Sequence, residues 1–292
     1  MFIQEAGDSF SRRFFNKQKF LKKTTSDFLK FPFIILLLIT FLLSLLTLSR
    51  NITWENEINL WKNCIAKASA KARPYRILAD ALQEEKRWDE AILNYKRSLE
   101  IEPSSPSTLN NLGAVYENLG FRDKAMDLYT EANKLSPESS DTLNNMGNIA
   151  MKKNNIDEAI HYFSLAASKK VNPEYYYNLG TAYLKANKLD DALVWMKKAR
   201  DLKEDLASVH ANLGMIYCLK NYPEAAIAEF KRALEINPEQ VEAHFNLGII
   251  YHYDVKVKDD QIALRHLRRA LELAQDFPHK DVVRNIIKEI EK

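Results

Sequence analysis

The stretch from Asn110 to Tyr116, Asn-Asn-Leu-Gly-Ala-Val-Tyr, keeps returning. Its later copies are Asn145-Met146-Gly147, Asn178-Leu179-Gly180-Thr181-Ala182-Tyr183, Asn212-Leu213-Gly214-Met215-Ile216-Tyr217 and Asn246-Leu247-Gly248-Ile249-Ile250-Tyr251. The glycines lie 34, 33, 34 and 34 residues apart. A fixed period of this size implies stacked supersecondary units, each too small to bury its apolar face alone. Most of the 292-residue chain is therefore expected to be one solenoid. Only 7 glycines in that length suit a helical solenoid better than a β one.

The net charge of +3 conceals an asymmetry. Residues 1–50 hold eight Lys and Arg against three acids, Glu5, Asp8 and Asp27, whereas residues 51–292 hold 34 against 36. The basic character belongs to the N-terminus, and the repeat body has no footprint for nucleic acid. Cys64 and Cys218 form no CxxC pair, so a zinc ribbon or thioredoxin-like site is excluded. They read as small buried residues on helices, with one long-range disulfide as the alternative.

Residues 31–48 are uncharged, and fourteen of the eighteen are Leu, Ile or Phe. A helix of that length reaches about 27 Å, close to the roughly 30 Å of a bilayer core. We expect a transmembrane helix over 31–49 in contact with membrane lipid, in which Thr40, Ser44 and Thr47 bond back to their own helix. A cleaved signal peptide would need a far shorter apolar region and a better small-residue cleavage site than Leu48 to Ile52 provides. Lys17, Lys19, Lys22, Lys23 and Lys30 crowd one flank, whereas the other has Arg50 and then no basic residue until Lys62. The positive-inside rule places the N-terminus in the cytoplasm and the repeats across the membrane, in a periplasm or secretory lumen. Asn51-Ile52-Thr53 is a glycosylation sequon pressed against the membrane. The arm 1–30 interleaves phenylalanines with basic residues and has two readings, an interfacial helix on anionic lipid or a topogenic tail.

Ile58, Trp61, Ile65 and Ala68 have helical spacing, so 50–71 is expected to hold an N-terminal capping helix. Aligning on the glycines gives units 72–105, 106–139, 140–172, 173–206, 207–240 and 241–277. In the second half of each, a large residue stands between two small ones at spacings of four and three: Ala91/Tyr95/Ser98, Ala125/Tyr129/Ala132, Ala159/Phe163/Ala166, Ala192/Met196/Ala199, Ala226/Phe230/Ala233 and Ala263/Leu267/Ala270. Those spacings share one helix face and suit closely crossing helices. Gly120, Asn154, Asn187 and Asn221 occupy one repeat position, where a left-handed residue ends a helix; Lys86 breaks the rule. With Pro103, Pro137 and Pro238 closing three units, 72–277 resembles tetratricopeptide repeats. The resemblance implies an all-α, right-handed superhelix of helical hairpins. The last unit lengthens its turn by about three residues, and 278–292 reads as an amphipathic C-terminal cap.

In that family the first helices line a concave groove, and the Asn two before the Gly points into it. The resemblance carries this role to Asn111, Asn145, Asn178, Asn212 and Asn246, with Ile77 in the first unit. A carboxamide both donates and accepts, so a ladder of them can hold an extended peptide backbone. The alternative is that these side chains bond within the array. Further groove candidates by repeat position are Asn110, Asn144, Asn148, Glu117, Lys152, Tyr177, Lys185, Phe245 and His252. The Lys/Arg pattern by which some relatives clamp a C-terminal carboxylate is missing, and that ligand is not expected.

No Gly-rich phosphate loop or GxSxG motif occurs. His244 and His252, eight apart on one helix, are about 12 Å from each other, too far to share a metal. Neither a cofactor nor catalysis is expected. A second resemblance covers Arg50-Asn51-Ile52-Thr53-Trp54, Glu57, Leu60-Trp61 and Lys71 to Tyr75. It is similar to the junction after the last membrane helix of O-mannosyltransferase-like glycosyltransferases that carry tetratricopeptide repeats. The chain reads as a membrane-anchored scaffold capturing a protein or peptide. Its alternative is an accessory or shortened relative of a polytopic membrane glycosyltransferase.

Overall fold

The computed structural model of the chain describes residues 36, 38–48, 57–274 and 278–292. Residues 38–48 form a helix, α1, with exposed side chains. Within it Ser44 Oγ donates to the Phe41 carbonyl at 2.7 Å and Thr47 Oγ1 to the Leu43 carbonyl at 2.8 Å, so these hydroxyls are satisfied inside the helix. The rest of the expected membrane segment, the arm 1–30 and the sequon lie outside the described residues. Among the described residues no helix is long and apolar enough to cross a membrane.

The chain divides into two compact units, 1–94 and 95–292, with the boundary inside α4 (Trp88–Ile101). In the first unit α2 (Glu57–Lys67) packs on α3 (Ala72–Glu84) and buries Ile58. Trp61 is half-buried, its indole N–H donating to Glu57 at 3.2 Å.

The second unit continues with five helical hairpins: α5 (Pro106–Asn118) with α6 (Arg122–Leu135), α7 (Ser140–Lys152) with α8 (Ile156–Lys169), α9 (Pro173–Lys185) with α10 (Leu189–Leu202), α11 (Ala207–Leu219) with α12 (Pro223–Ile236), and α13 (Val241–Tyr253) with α14 (Asp260–Leu273). Each second helix also packs on the next first helix, and successive first helices touch. The result is an all-α solenoid. α15 (Lys280–Ile290) closes it by packing Val283 and Ile286 against Leu267.

The side-chain pattern explains the hairpins. Tyr129, Phe163, Met196, Phe230 and Leu267 are buried, each between two buried alanines of its own helix. Each fills the space left by a first-helix glycine. A Cβ on Gly147 would lie 2.5 Å from the Phe163 ring, and one on Gly113 2.6 Å from the Tyr129 ring. The glycine is thus required by its neighbour's bulk, and the two helices cross closely only because it lacks a side chain.

Turn chemistry supplies the reversals. Gly120, Asn154, Asn187 and Asn221 adopt φ of 84°, 61°, 57° and 63°. Lys86 is left-handed as well, at 59°, so the fold imposes the conformation where the residue does not favour it. Lys86→Asn should therefore stabilise the first unit by up to about 1 kcal/mol, read as a higher midpoint in thermal unfolding. The unit from Ser140 is one residue short because the link to its successor, 170–172, has three residues where the other links have four: Asn172 accepts from the Glu174 N–H at 2.8 Å and Pro173 opens α9. The long last turn works otherwise. The Asp259 carboxylate caps α14 through the Ile262 N–H at 3.0 Å, and the Asp259 N–H donates to the Tyr251 carbonyl at 2.8 Å.

Candidate functional site

All five ladder asparagines lie on first helices of the second unit, each two residues before a buried packing glycine and each half-buried. Three of their amide nitrogens are engaged with the preceding repeat. Asn145 Nδ2 donates to Asn110 Oδ1 at 3.2 Å, Asn178 Nδ2 to Asn144 Oδ1 at 2.9 Å, and Asn212 Nδ2 to Thr181 Oγ1 at 3.3 Å. Asn246 Nδ2 instead turns back to the Glu242 carbonyl of its own helix at 2.8 Å. Asn110 Nδ2 lies 3.4 Å from Asn111 Oδ1.

The alternative reading, bonds within the array, is what three of the five side chains make. Three rungs tie consecutive repeats together, and each uses one amide hydrogen to do so. Its carbonyl oxygen and second hydrogen are not taken up by these bonds, so the rung remains a donor and an acceptor. Thr181 was not legible as a partner in advance. Its only signal is that it follows Gly180 as Asn148 follows Gly147.

The other candidates divide. Asn148 and Tyr177 are half-buried on first helices, and Lys185 is exposed. Asn144 is 4% exposed, so it sits between helices as the acceptor for Asn178 and offers no open surface. His252 is also buried, with Nδ1 2.7 Å from Asp260. Phe245 packs with the cap cluster, and its ring stacks on His279 at 5.0 Å. Asn144 and His252 are thus corrected from groove-lining to interior roles by their burial, and Phe245, half-buried, takes part in packing the cap. Lys152 and Glu117 do meet, at 2.6 Å, and Tyr129 donates to the same carboxylate at 3.0 Å. Burial first, and then the Glu117 charge, push the Tyr129 phenol above its ordinary range. Tyr175, donating to Asp141, is pushed up to about 12 by burial and then by that bond.

The histidines meet partners that the sequence did not name. His244 meets His266 of α14, Nδ1 to Nδ1 at 2.9 Å, with its Nε2 3.1 Å from the Pro238 carbonyl. A carbonyl only accepts, so His244 carries its proton on Nε2 and its Nδ1 accepts from His266. Burial lowers both, His266 to about 4, with His244 and nearby Arg265 and Lys231 adding to the effect. The fold favours neutral rings while the unfolded chain takes up protons near 6.5. Stability contributed here is present above about 6.5 and is lost as the pH falls toward about 4. The thermal midpoint should drop over that window, and His266→Gln should flatten the drop.

Among the described residues no cluster of three or more metal-ligating side chains occurs, and Cys64 and Cys218 are both free thiols. Burial raises Cys218 to about 11.

Tetratricopeptide-repeat family models match residues 79–120 and 216–253, 106–139, and 144–207. Protein O-mannosyl-transferase TMTC3 of Homo sapiens is 28% identical over 106 residues, which are 36% of this chain and 12% of that protein. The match therefore spans a small part of that relative. Among solved structures, the APC/C hetero-tetramer Cut9-Hcn1 aligns with a TM-score of 0.68 at 19% identity, covering 81% of this chain and 46% of that one. YrrB, a TPR protein with an unusual peptide-binding site, aligns with a TM-score of 0.53 at 22% identity, covering 63% and 95%. At these identities the structural likenesses speak for the fold. Repeat models, hairpin packing and the glycine–aromatic contacts agree, and the chain belongs to the tetratricopeptide-repeat family.

Proposed function

We propose that this chain is a membrane-anchored scaffold, without catalysis of its own, whose first helices hold an extended segment of a protein partner. The observation that carries the reading is the ladder. Asn145, Asn178 and Asn212 are oriented by bonds to the preceding repeat while each keeps a donor and an acceptor. Carboxamides held in place before binding lose little freedom on binding. The apolar segment 31–49 and the basic flank before it support an anchor with the repeats across the membrane from the cytoplasm.

The test needs variants that spare the fold. Asn178→Ala would leave the buried Asn144 carbonyl without its partner, a loss of about 1–3 kcal/mol. Asn212→Ala and Asn246→Ala are cleaner, because Thr181 Oγ1 also donates to the Tyr177 carbonyl and Asn246 bonds only within its own helix. A photo-crosslinker at Lys185 in intact membranes should capture a partner, and the double variant should reduce capture about tenfold at unchanged thermal stability. Undiminished capture would remove the ladder from the mechanism.

A second reading is favoured by the 28% match to an O-mannosyl-transferase together with the junction 50–75. In it the chain presents acceptor proteins to a membrane glycosyltransferase. Repeated recovery of such a subunit with the full chain from gently solubilised membranes would support it, and purification that never yields one would end it.

A further inference from the structure

We infer that the segment held by the first helices is a polyproline II stretch carrying a basic side chain at every third residue. This rests on the groove reading above and adds the conformation and chemistry of the ligand.

Spacing carries the first half. One rung occurs per repeat, and successive first helices are in contact, which sets neighbouring rungs about 8–10 Å apart. A polyproline II helix advances about 9.3 Å per three-residue turn. It therefore presents the same backbone face to every rung. A β-strand repeats each ~6.8 Å, so alternate rungs would meet opposite faces of it. An α-helix repeats each ~5.4 Å and has no backbone groups left to offer. Polyproline II has no internal hydrogen bonds, and its carbonyls remain available even where proline has removed the N–H. The second amide hydrogen of each rung is the complementary donor.

Charge carries the other half. Asp141, Glu174 and Glu242 are exposed in the first turns of α7, α9 and α13, on one side of the rungs. Lys152 and Lys185 stand in the last turns of α7 and α9, on the other side. The two edges are eleven residues apart along a helix, about 16 Å. A threefold ligand in that channel puts one face on the rungs and one toward each edge. Asp141 accepts from the Tyr175 hydroxyl, and Glu174 and Glu242 make no ion pair among the described residues; on the other edge Lys152 is held by Glu117 at 2.6 Å, which leaves Lys185 against three acids. The excess charge is negative and stands at the same helical position in three of the five units, α5 and α11 having no acid in their first turn. A basic residue in each triplet answers it.

Fluorescence anisotropy of the full-length chain in detergent micelles tests this with a labelled peptide of five Pro-Pro-Lys triplets. Binding is expected, weakened about tenfold or more by Asn212→Ala with Asn246→Ala. Affinity should rise triplet by triplet until the peptide spans the five rungs, about 37 Å, and then level off. Five Gly-Gly-Lys triplets carry the same charge without the conformation. Equal affinity for them would overturn the inference, as would no binding of the proline peptide. If the Lys185 crosslinker still captures a partner in either case, the groove reading stands and only the ligand class assigned here falls.

Discussion

Phe163→Ala is expected to destabilise the repeat array by about 3–5 kcal/mol, the largest single effect among these predictions. Phe163 is 1% exposed and is flanked by Ala159 and Ala166, both fully buried. It also packs in one cluster with Leu179 and Ala182 of the following first helix. Neither flanking methyl can reach into the void, so the site collapses poorly. In a solenoid each repeat leans only on its neighbours, so a mid-array loss weakens both flanking interfaces. Urea unfolding should show the loss, with the thermal midpoint lower by roughly 10 °C. A drop of under about 1 kcal/mol would mean that the wedge is not what holds the hairpins together.

Gly147→Ala should be nearly as harmful, for the opposite reason. The new methyl would lie 2.5, 2.6 and 2.9 Å from three atoms of the Phe163 ring. Overpacking of this kind costs about 1–3 kcal/mol and outweighs the roughly 1 kcal/mol of helix propensity that alanine adds. The same change in the Phe163→Ala background should be stabilising, since the methyl then enters the cavity. Reversal of sign in the double-mutant cycle is the decisive readout. Gly180→Ala should be milder, because it faces the unbranched Met196 side chain at 3.0 and 3.1 Å. Equal penalties at Gly147 and Gly180 would show that backbone approach, rather than ring bulk, selects glycine there.

These two predictions rest on residues whose importance could be read before any coordinates. The Gly-to-aromatic contacts join positions sixteen residues apart within one hairpin, and the recurrence of both positions with the repeat is plain in the sequence. The left-handed turn positions were legible in the same way, because Asn and Gly are the residues that adopt them cheaply. Lys86 was not, since its φ of 59° runs against the preference of a residue with a Cβ.

The candidate site was legible in address and not in wiring. That Asn178 recurs with the repeat is plain along the chain. That its amide hydrogen goes to Asn144, 34 residues earlier, depends on how far one repeat is rotated on the next. The same stacking buries Asn144, whereas within the last hairpin the packing of α13 on α14 brings His252 to Asp260 and His244 to His266. Sequence alone determined the hairpin and its period, because the contacts that define a hairpin are local and set by residue size. Only the tertiary structure decided which polar groups satisfy one another, because hydrogen bonds between repeats require atoms within about 3 Å, a finer distance than any periodicity along the chain specifies.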